Sequence, residues 1–348
     1  MNQTNSIIFA DSQFEKLVQI LKTESFSKVC VLVDSNTSIY CLPILQKQLL
    51  NAKIEIVKLE MIAGEENKQI ESCIQLWTQL SELEIDRNAV LLNLGGGVVT
   101  DLGAFVAATY KRGIHFMNIP TSLLAMVDAA IGGKCGIDFD SFKNQIGLFQ
   151  NADYTFVYPE FLNSLPEIEW NSGKAELIKH ALIHDIDLWN ELRKLEFNKH
   201  AAWLPFIERG MKIKHEIVLN DFKESGERKK LNFGHTIGHA IESYCLIKGE
   251  PIPHGFAIAA GMLIESFISL KKDLISIEQF YEVERFLWNN YPKLNFKSTE
   301  IQQLVKQDKK NFKGQFQFSL LKEIGDCVIN QDVEIDLIVE SLNYYQSK

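Results

Sequence analysis

Apolar and polar positions in the first half of the chain switch repeatedly between two periods. Residues 28–34 (KVCVLVD) form a β-branched run bounded by polar residues and predict a buried strand. Residues 39–50 take helical spacing, 53–59 (KIEIVKL) alternate as a strand does, and 67–81 form an amphipathic helix. A third strand, 89–94 (AVLLNL), runs into GGGVVTD at 95–101 and a helix over 102–110; a fourth, 115–119 (HFMNI), closes on Pro120-Thr-Ser. Such alternation predicts a parallel sheet with helices on both faces and a ligand at the carboxyl ends of the strands. Beyond about residue 159 the strand signals fade. Helices are predicted over 172–183, 201–220, 231–245, 254–270, 277–290 and 299–306, and 315–321 (QFQFSLL) alternates as a short hairpin strand. The expected organisation is an α/β N-terminal domain, 1–157, followed by an all-α C-terminal domain, 158–348.

Composition narrows the function. The 348 residues carry 46% apolar side chains, ordinary for one large or two average domains. A net charge of −9 argues against a nucleic-acid partner, so any anion site must be a local cluster of cations. Six cysteines without a C-x-x-C pair suit a reducing cytoplasm and argue against a disulfide framework or a structural zinc site. The N-terminal MNQTNSIIFADSQF lacks the basic and apolar regions of a signal peptide. The longest apolar runs, 103–109 and 256–264, are too short to span a bilayer, so no membrane partner is expected.

The chemistry concentrates in KLNFGHTIGH at 230–239. His235 and His239 are four residues apart, which puts both imidazoles on one helix face. His254 follows in Pro-His-Gly, and Glu176 lies upstream in GKAELIK. Two histidines and one carboxylate are the usual protein share of an open catalytic zinc site, and any pair of the three histidines satisfies that count. The triple glycine ends a strand and opens a helix, where backbone N–H groups and the helix dipole suit a pyrophosphate; a plain tight turn is the other reading. It is not the G-x-G-x-x-G fingerprint. Asp34, followed by Asn36, suits ribose hydroxyls or a helix cap. Glu65 and Lys68 stand at a strand-to-helix junction. Lys134, Lys143-Asn144, Lys179, Lys214, Arg228 and Lys309-Lys310 interrupt apolar patterns. Several cations around one metal imply an anionic substrate bearing phosphate or carboxylate.

With these residues in place, the chain resembles the 3-dehydroquinate synthases over most of its length. The likeness rests on GEENK at 64–68, GGGVVTDLGAFVAATYKRG at 95–113, PTSLLAMVDAAIGGKCGID at 120–138 and KNQIG at 143–147. It continues through SLPEIEWNSGKAELIKHALIHD at 164–185, RKKLNFGHTIGHAIE at 228–242, HGFAIAAGM at 254–262 and DKK at 308–310. The resemblance implies a Rossmann-like NAD-binding domain, a helical metal- and substrate-binding domain, a homodimer, and zinc or cobalt as metal. It implies conversion of 3-deoxy-D-arabino-heptulosonate 7-phosphate, a sugar acid phosphate, to 3-dehydroquinate and phosphate in the shikimate route. By the same likeness the metal ligands are Glu176, His235 and His254. Lys134, Asn144, Asn232, His239 and Lys310 contact the phosphate, joined by Arg112 from the neighbouring subunit. Lys214 and Arg228 clamp the carboxylate, and Asp128 and Lys179 meet hydroxyls. NAD is implied to touch Asp34, Asn36, Glu65, Lys68, Gly96, Gly97, Val98, Asp101, Thr121, Ser122, Lys134, Lys143, Phe161, Leu162, Asn163 and Ser164. The residues expected to act in catalysis are Lys134, Asn144, Lys179, Asn232 and His239.

Three departures from the family pattern stand out. Phe256 replaces the usual glutamate after His-Gly, Thr100 stands where glycine is commoner, and Pro-Thr-Ser replaces Pro-Thr-Thr. The rival readings are another sugar phosphate cyclase, such as 2-deoxy-scyllo-inosose synthase, a metal-dependent polyol dehydrogenase, and a non-catalytic binding protein. The first acts on a substrate without a carboxylate, so the Lys214 and Arg228 pair argues against it.

Overall fold

The computed structural model describes residues 6–139, 142–308 and 316–348. The chain divides into two compact units, Met1–Trp170 and Asn171–Lys348. The strands of the first are β1 (Ser6–Phe9), β2 (Val29–Asp34), β3 (Ile56–Met61), β4 (Val90–Gly95), β5 (His115–Pro120), β6 (Lys134–Phe139), β7 (Phe142–Phe149) and β8 (Tyr154–Val157). Six of them form one parallel sheet in the order β1-β8-β5-β4-β2-β3. The helices are α1 (Glu15–Thr23), α2 (Ser35–Tyr40), α3 (Leu42–Asn51), α4 (Ile70–Glu82) and α5 (Gly97–Thr109). Strand β4 is buried at every position and β2 at all but Asp34, as expected of central strands covered on both faces. At the sheet edge, β3 alternates between buried and open positions. Because β3 and β4 flank β2, chain order reverses there, and the carboxyl ends of β2 and β4 place Asp34 and Gly95 on adjoining strands.

Three local differences from the sequence expectation have physical causes. The helix expected over 39–50 breaks at Cys41, because Pro43 lacks an N–H and starts α3 instead. The helix expected from 102 starts at Gly97, directly on the glycine loop. Between the strands at 115 and 154, β6 and β7 pair as an antiparallel hairpin that no periodicity announces. A Cβ at Gly136 or Gly147 would come within 2.5 Å of the opposite backbone, so this pairing depends on glycine rather than on an apolar face.

The second unit begins within α6 (Glu167–His184). The sequence pattern changes near residue 157, but the turn Pro159–Ser164 still buries Phe161 and Leu162, and Phe161 packs on Phe14 and Tyr158 of the first unit. There follow α7 (Ile186–Leu192), α8 (Leu204–Asn220), α9 (His235–Ile247), α10 (His254–Lys271), α11 (Ile277–Asn290) and α12 (Ser298–Asp308). An antiparallel hairpin, β9 (Phe316–Glu323) and β10 (Asp326–Val333), precedes α13 (Ile335–Ser347), so this unit is helical with one hairpin. Helix α10 is buried continuously from Ala257 to Ser269, as a central core helix must be. Among the described residues, no helix is long and apolar enough to cross a membrane.

Candidate functional site

Three helices deliver the ionisable centre of the second unit. Helices α9 and α10 begin on His235 and His254, and α6 carries Glu176. Gly234, at φ +80°, turns the chain into α9 and moves its start four residues past the expected 231. His254 Nε2 lies 3.3 Å and His235 Nε2 3.6 Å from one oxygen, Glu176 Oε1. The opposite ring nitrogens face acceptors: His235 Nδ1 is 3.2 Å from Phe233 O, and His254 Nδ1 is 3.3 Å from Glu242 Oε2. An Nδ1–H on each acceptor leaves Nε2 to offer a lone pair towards Glu176. Lone pairs converging on a carboxylate oxygen repel one another unless a cation joins them, so this donor set fits a divalent metal. Glu176 is fully buried, and Lys179, one turn on, pairs with its Oε2.

Their surroundings shift the two imidazoles in opposite directions. Burial, aided by Lys179, holds His235 well below its usual pKa despite Glu176. Burial acts the same way on His254, but Glu242 and Glu176 outweigh it and raise the group to about 10. A proton there answers Glu176, and metal binding displaces it. His239 is exposed, with its ring 5.1 Å from His235 and 5.8 Å from His254. The ring nitrogens of the three histidines come within 4.8 Å of one another, so spacing alone does not choose among them. The contacts to Glu176 and Glu242 favour His235 and His254.

Nearby in sequence, Lys214 on α8 and Arg228 in the turn Glu227–Asn232 are both buried cations. Asp221 shapes this stretch by accepting from the N–H groups of Ser225, Gly226 and Arg228. Arg228 donates to Phe222 O at 2.6 Å, and Asn232 Nδ2 donates to Glu224 Oε1 at 2.7 Å. Phe256 packs edge-on against Tyr291 with ring centroids 5.6 Å apart, and Tyr291 donates to Asn171 O at 2.9 Å. Position 256 is thus filled by an aromatic contact. Lys309 and Lys310 lie outside the described residues.

In the first unit, the expected nucleotide residues gather at the strand ends. Asp34 Oδ1 accepts from Asn36 N, Thr37 N and Thr37 Oγ1, so it caps α2 through that oxygen. Gly96 is the N-cap of α5, followed by Gly97 and Val98. Thr100 donates back to Gly96 O and Gly97 O, which keeps its hydroxyl inside the helix and out of the glycine loop. Lys68, 4% exposed, reaches Asp101 Oδ2 and Asn144 Oδ1, each at 2.6 Å. Burial lowers its pKa, but Asp101 and Glu65 more than offset this. Asn144 holds a left-handed φ of +52°, with its N–H on Asp138 Oδ1 at 2.7 Å. Lys143 pairs with Glu65 at 3.1 Å. Thr121 is buried and donates its N–H to Gly95 O, while Ser122 Oγ accepts from Ala125 N. Phe161 and Leu162 are core side chains, whereas Asn163 and Ser164 are exposed. Asp128 sits in the π-helical turn Ala125–Ala129, Lys134 is exposed at the start of β6, and Arg112 is exposed at φ +66°.

Replacing Lys68 with Met should cost about 3 kcal/mol, the low end for breaking a buried ion pair, because Asp101 has further contacts that limit the loss. Urea unfolding would measure this, and an unchanged midpoint would remove Lys68 from that role.

Sequence reasoning missed four residues that the structure brings to these sites. Glu242 backs His254; it lies seven residues after His235, two turns along the same face, and that spacing was available as a signal. Glu224 holds Asn232 within an irregular stretch, and Asp138 holds Asn144 across the β6–β7 hairpin, neither of which periodicity announces. Cys41 is buried among Asp34, Thr121 and Ser164; burial and Asp34 push its thiol up to about 11, so it stays protonated.

Comparison with known proteins bears on both units. Residues 58–172 match the family model for the 3-dehydroquinate synthase N-terminal region, and 173–311 match that for its C-terminal region. The chain is 39% identical to the 3-dehydroquinate synthase of Parabacteroides distasonis, covering 99% of each. It is 36% identical to that of Bacillus cytotoxicus, over 90% of this chain and 85% of the relative. In fold it is similar to 2-epi-5-epi-valiolone synthase from Streptomyces hygroscopicus, solved with NAD+ and Zn2+, at TM-score 0.88 and 23% identity over 100% of this chain and 98% of that one. It is also similar to 2-deoxy-scyllo-inosose synthase, solved with carbaglucose-6-phosphate, NAD+ and Co2+, at TM-score 0.83 and 22% identity over 97% and 96%.

Proposed function

The chain belongs to the 3-dehydroquinate synthase family, and from that premise we propose that Glu176, His235 and His254 hold its divalent metal while the Asp34, Gly96–Gly97 and Lys68–Asp101 groups hold NAD. The activity is that of the family: 3-deoxy-D-arabino-heptulosonate 7-phosphate becomes 3-dehydroquinate and phosphate through oxidation, phosphate elimination, reduction, ring opening and aldol closure. When bound, NAD takes and returns the hydride, and zinc or cobalt polarises the alcohol that is oxidised.

The chain's own residues bind and orient the substrate. Lys214 and Arg228 clamp its carboxylate, which offsets the cost of burying two cations. Asn232 exchanges Glu224 for a phosphate oxygen, joined by His239, Asn144, Lys134 and Lys310, with Arg112 of the partner subunit completing the set in a homodimer. These donors stabilise the negative charge that develops as phosphate leaves. Asp128 and Lys179 meet the ring hydroxyls. Lys179 also neutralises Glu176, so the buried carboxylate remains ionised for the metal. The free cysteines suit a cytoplasmic setting.

The observation that carries this reading is the convergence of His235 Nε2 and His254 Nε2 on Glu176 Oε1, at 3.6 and 3.3 Å, with acceptors behind both rings. The test is phosphate release from the heptulosonate phosphate by the purified protein with NAD and zinc. Expected are phosphate and 3-dehydroquinate in equal amounts, no net NADH, loss on chelation, and recovery with zinc or cobalt. A folded, metal-loaded protein that releases no phosphate would overturn the reading.

A further inference from the structure

Helix α9 starts without the means to cap itself. Its N-cap is Gly234, which has no side chain, and its third residue is Ile237, which cannot accept a hydrogen bond. In a capping box, the N-cap side chain takes the N–H of the third residue, and that residue's side chain takes the N-cap N–H. Here one carboxylate from another helix does both. Glu265, fully buried on α10, accepts from Ile237 N–H through Oε1 at 3.0 Å and from Gly234 N–H through Oε2 at 2.7 Å. His235 is the first residue of the helix so capped, and His254 is the first residue of the helix that supplies the cap.

We propose that Glu265 is a positioning residue for the metal site, completing the capping box of α9 in trans and so locking His235 to the helix that carries His254. This rests on the reading of Glu176, His235 and His254 as metal ligands. Two physical effects act together. The paired hydrogen bonds fix the first turn of α9, and with it the Nε2 of His235, against α10. The carboxylate charge also offsets the positive end of the α9 dipole, which would otherwise oppose a dication at the first residue. Local sequence offers no substitute, since Gly234 is held at φ +80° against α10 and a Cβ there would lie 2.6 Å from Met262 Cγ.

Glu265→Gln tests this, because glutamine keeps the shape but loses the charge and one of the two acceptors. Zn2+ affinity is measured by competition with a chelator, and the Co2+-loaded protein is read by its visible absorption spectrum. The expected result is Zn2+ affinity weaker by about 10- to 100-fold, the range for groups that orient metal ligands, with a changed Co2+ spectrum. Ser276→Ala is the control: it removes the capping box of α11, lowers stability, and leaves both metal readouts unchanged. Zn2+ affinity and a Co2+ spectrum in Glu265→Gln equal to those of the unaltered protein would overturn the proposal, whatever happens to its melting temperature. The ligand reading fails separately: it falls if His235→Ala binds Zn2+ as tightly as the unaltered chain.

Discussion

Glu176→Gln should leave a folded protein that neither retains metal nor releases phosphate. The carboxylate is fully buried, faces His235 and His254 through Oε1, and neutralises Lys179 through Oε2. Glutamine preserves the volume but removes the charge, and one terminal atom becomes an N–H donor. A dication at the site then has two neutral imidazoles and no anion, and the Lys179 ammonium, 1% exposed, loses the Glu176 carboxylate. Breaking a buried charge pair costs about 4 kcal/mol, equivalent to about a thousandfold in affinity. Metal content after dialysis should fall from one equivalent to a trace, and phosphate release should fall by at least about that factor. NAD binding should persist, which separates this effect from misfolding. A variant that keeps metal within about threefold of the original affinity, well below the cost of breaking such a pair, would show that Glu176 is not a ligand.

Gly261→Ala should unfold the second unit under conditions where the unaltered chain is stable. A Cβ at this position would lie 1.9 Å from Gly234 O and 2.8 Å from Gly238 N, both backbone atoms of the α9 start. No rotamer relieves a clash between backbone and Cβ, so α9 and α10 must separate. The expected loss exceeds about 3 kcal/mol, the upper part of the overpacking range, and metal affinity falls with it because the crossing sets the distance between His235 and His254. Gly249→Ala is the informative contrast. Gly249 has φ +75° but open space around its Cβ position, so alanine there costs about 1 kcal/mol from backbone strain alone. Urea unfolding of the two variants would compare them, and equal losses would mean that the helix crossing is not tight at Gly261.

The parallel sheet was legible because β2 and β4 are buried on both faces and read as unbroken apolar runs. Most helices of the second unit were legible from their period, and α11 was expected over the bounds it has, 277–290. The strands β1 and β8 were not foreseen: four residues each are too few to show a period, and their identity depends on pairing with each other. The hairpin β6–β7 is longer but was hidden too, since its partners and its glycines matter more than its side-chain pattern.

By itself, the sequence determined the fold class, the glycine loop at the end of β4, the supply of histidines and buried cations, and, through long motifs in a constant order, the family. These are properties of local period or of residue identity, which the chain carries without folding. The preference for His235 and His254 over His239, which the family likeness implied, gains a geometric basis only from the tertiary structure, because it depends on where Glu176 and Glu242 arrive from α6 and from two turns along α9. It alone showed Asp34 serving as a cap and Cys41 buried beside it. It alone revealed Glu265, whose partners Gly234 and Ile237 lie 31 and 28 residues away in sequence. A hydrogen bond or a lone pair acts over about 3 Å, and no one-dimensional spacing specifies which distant residues come that close.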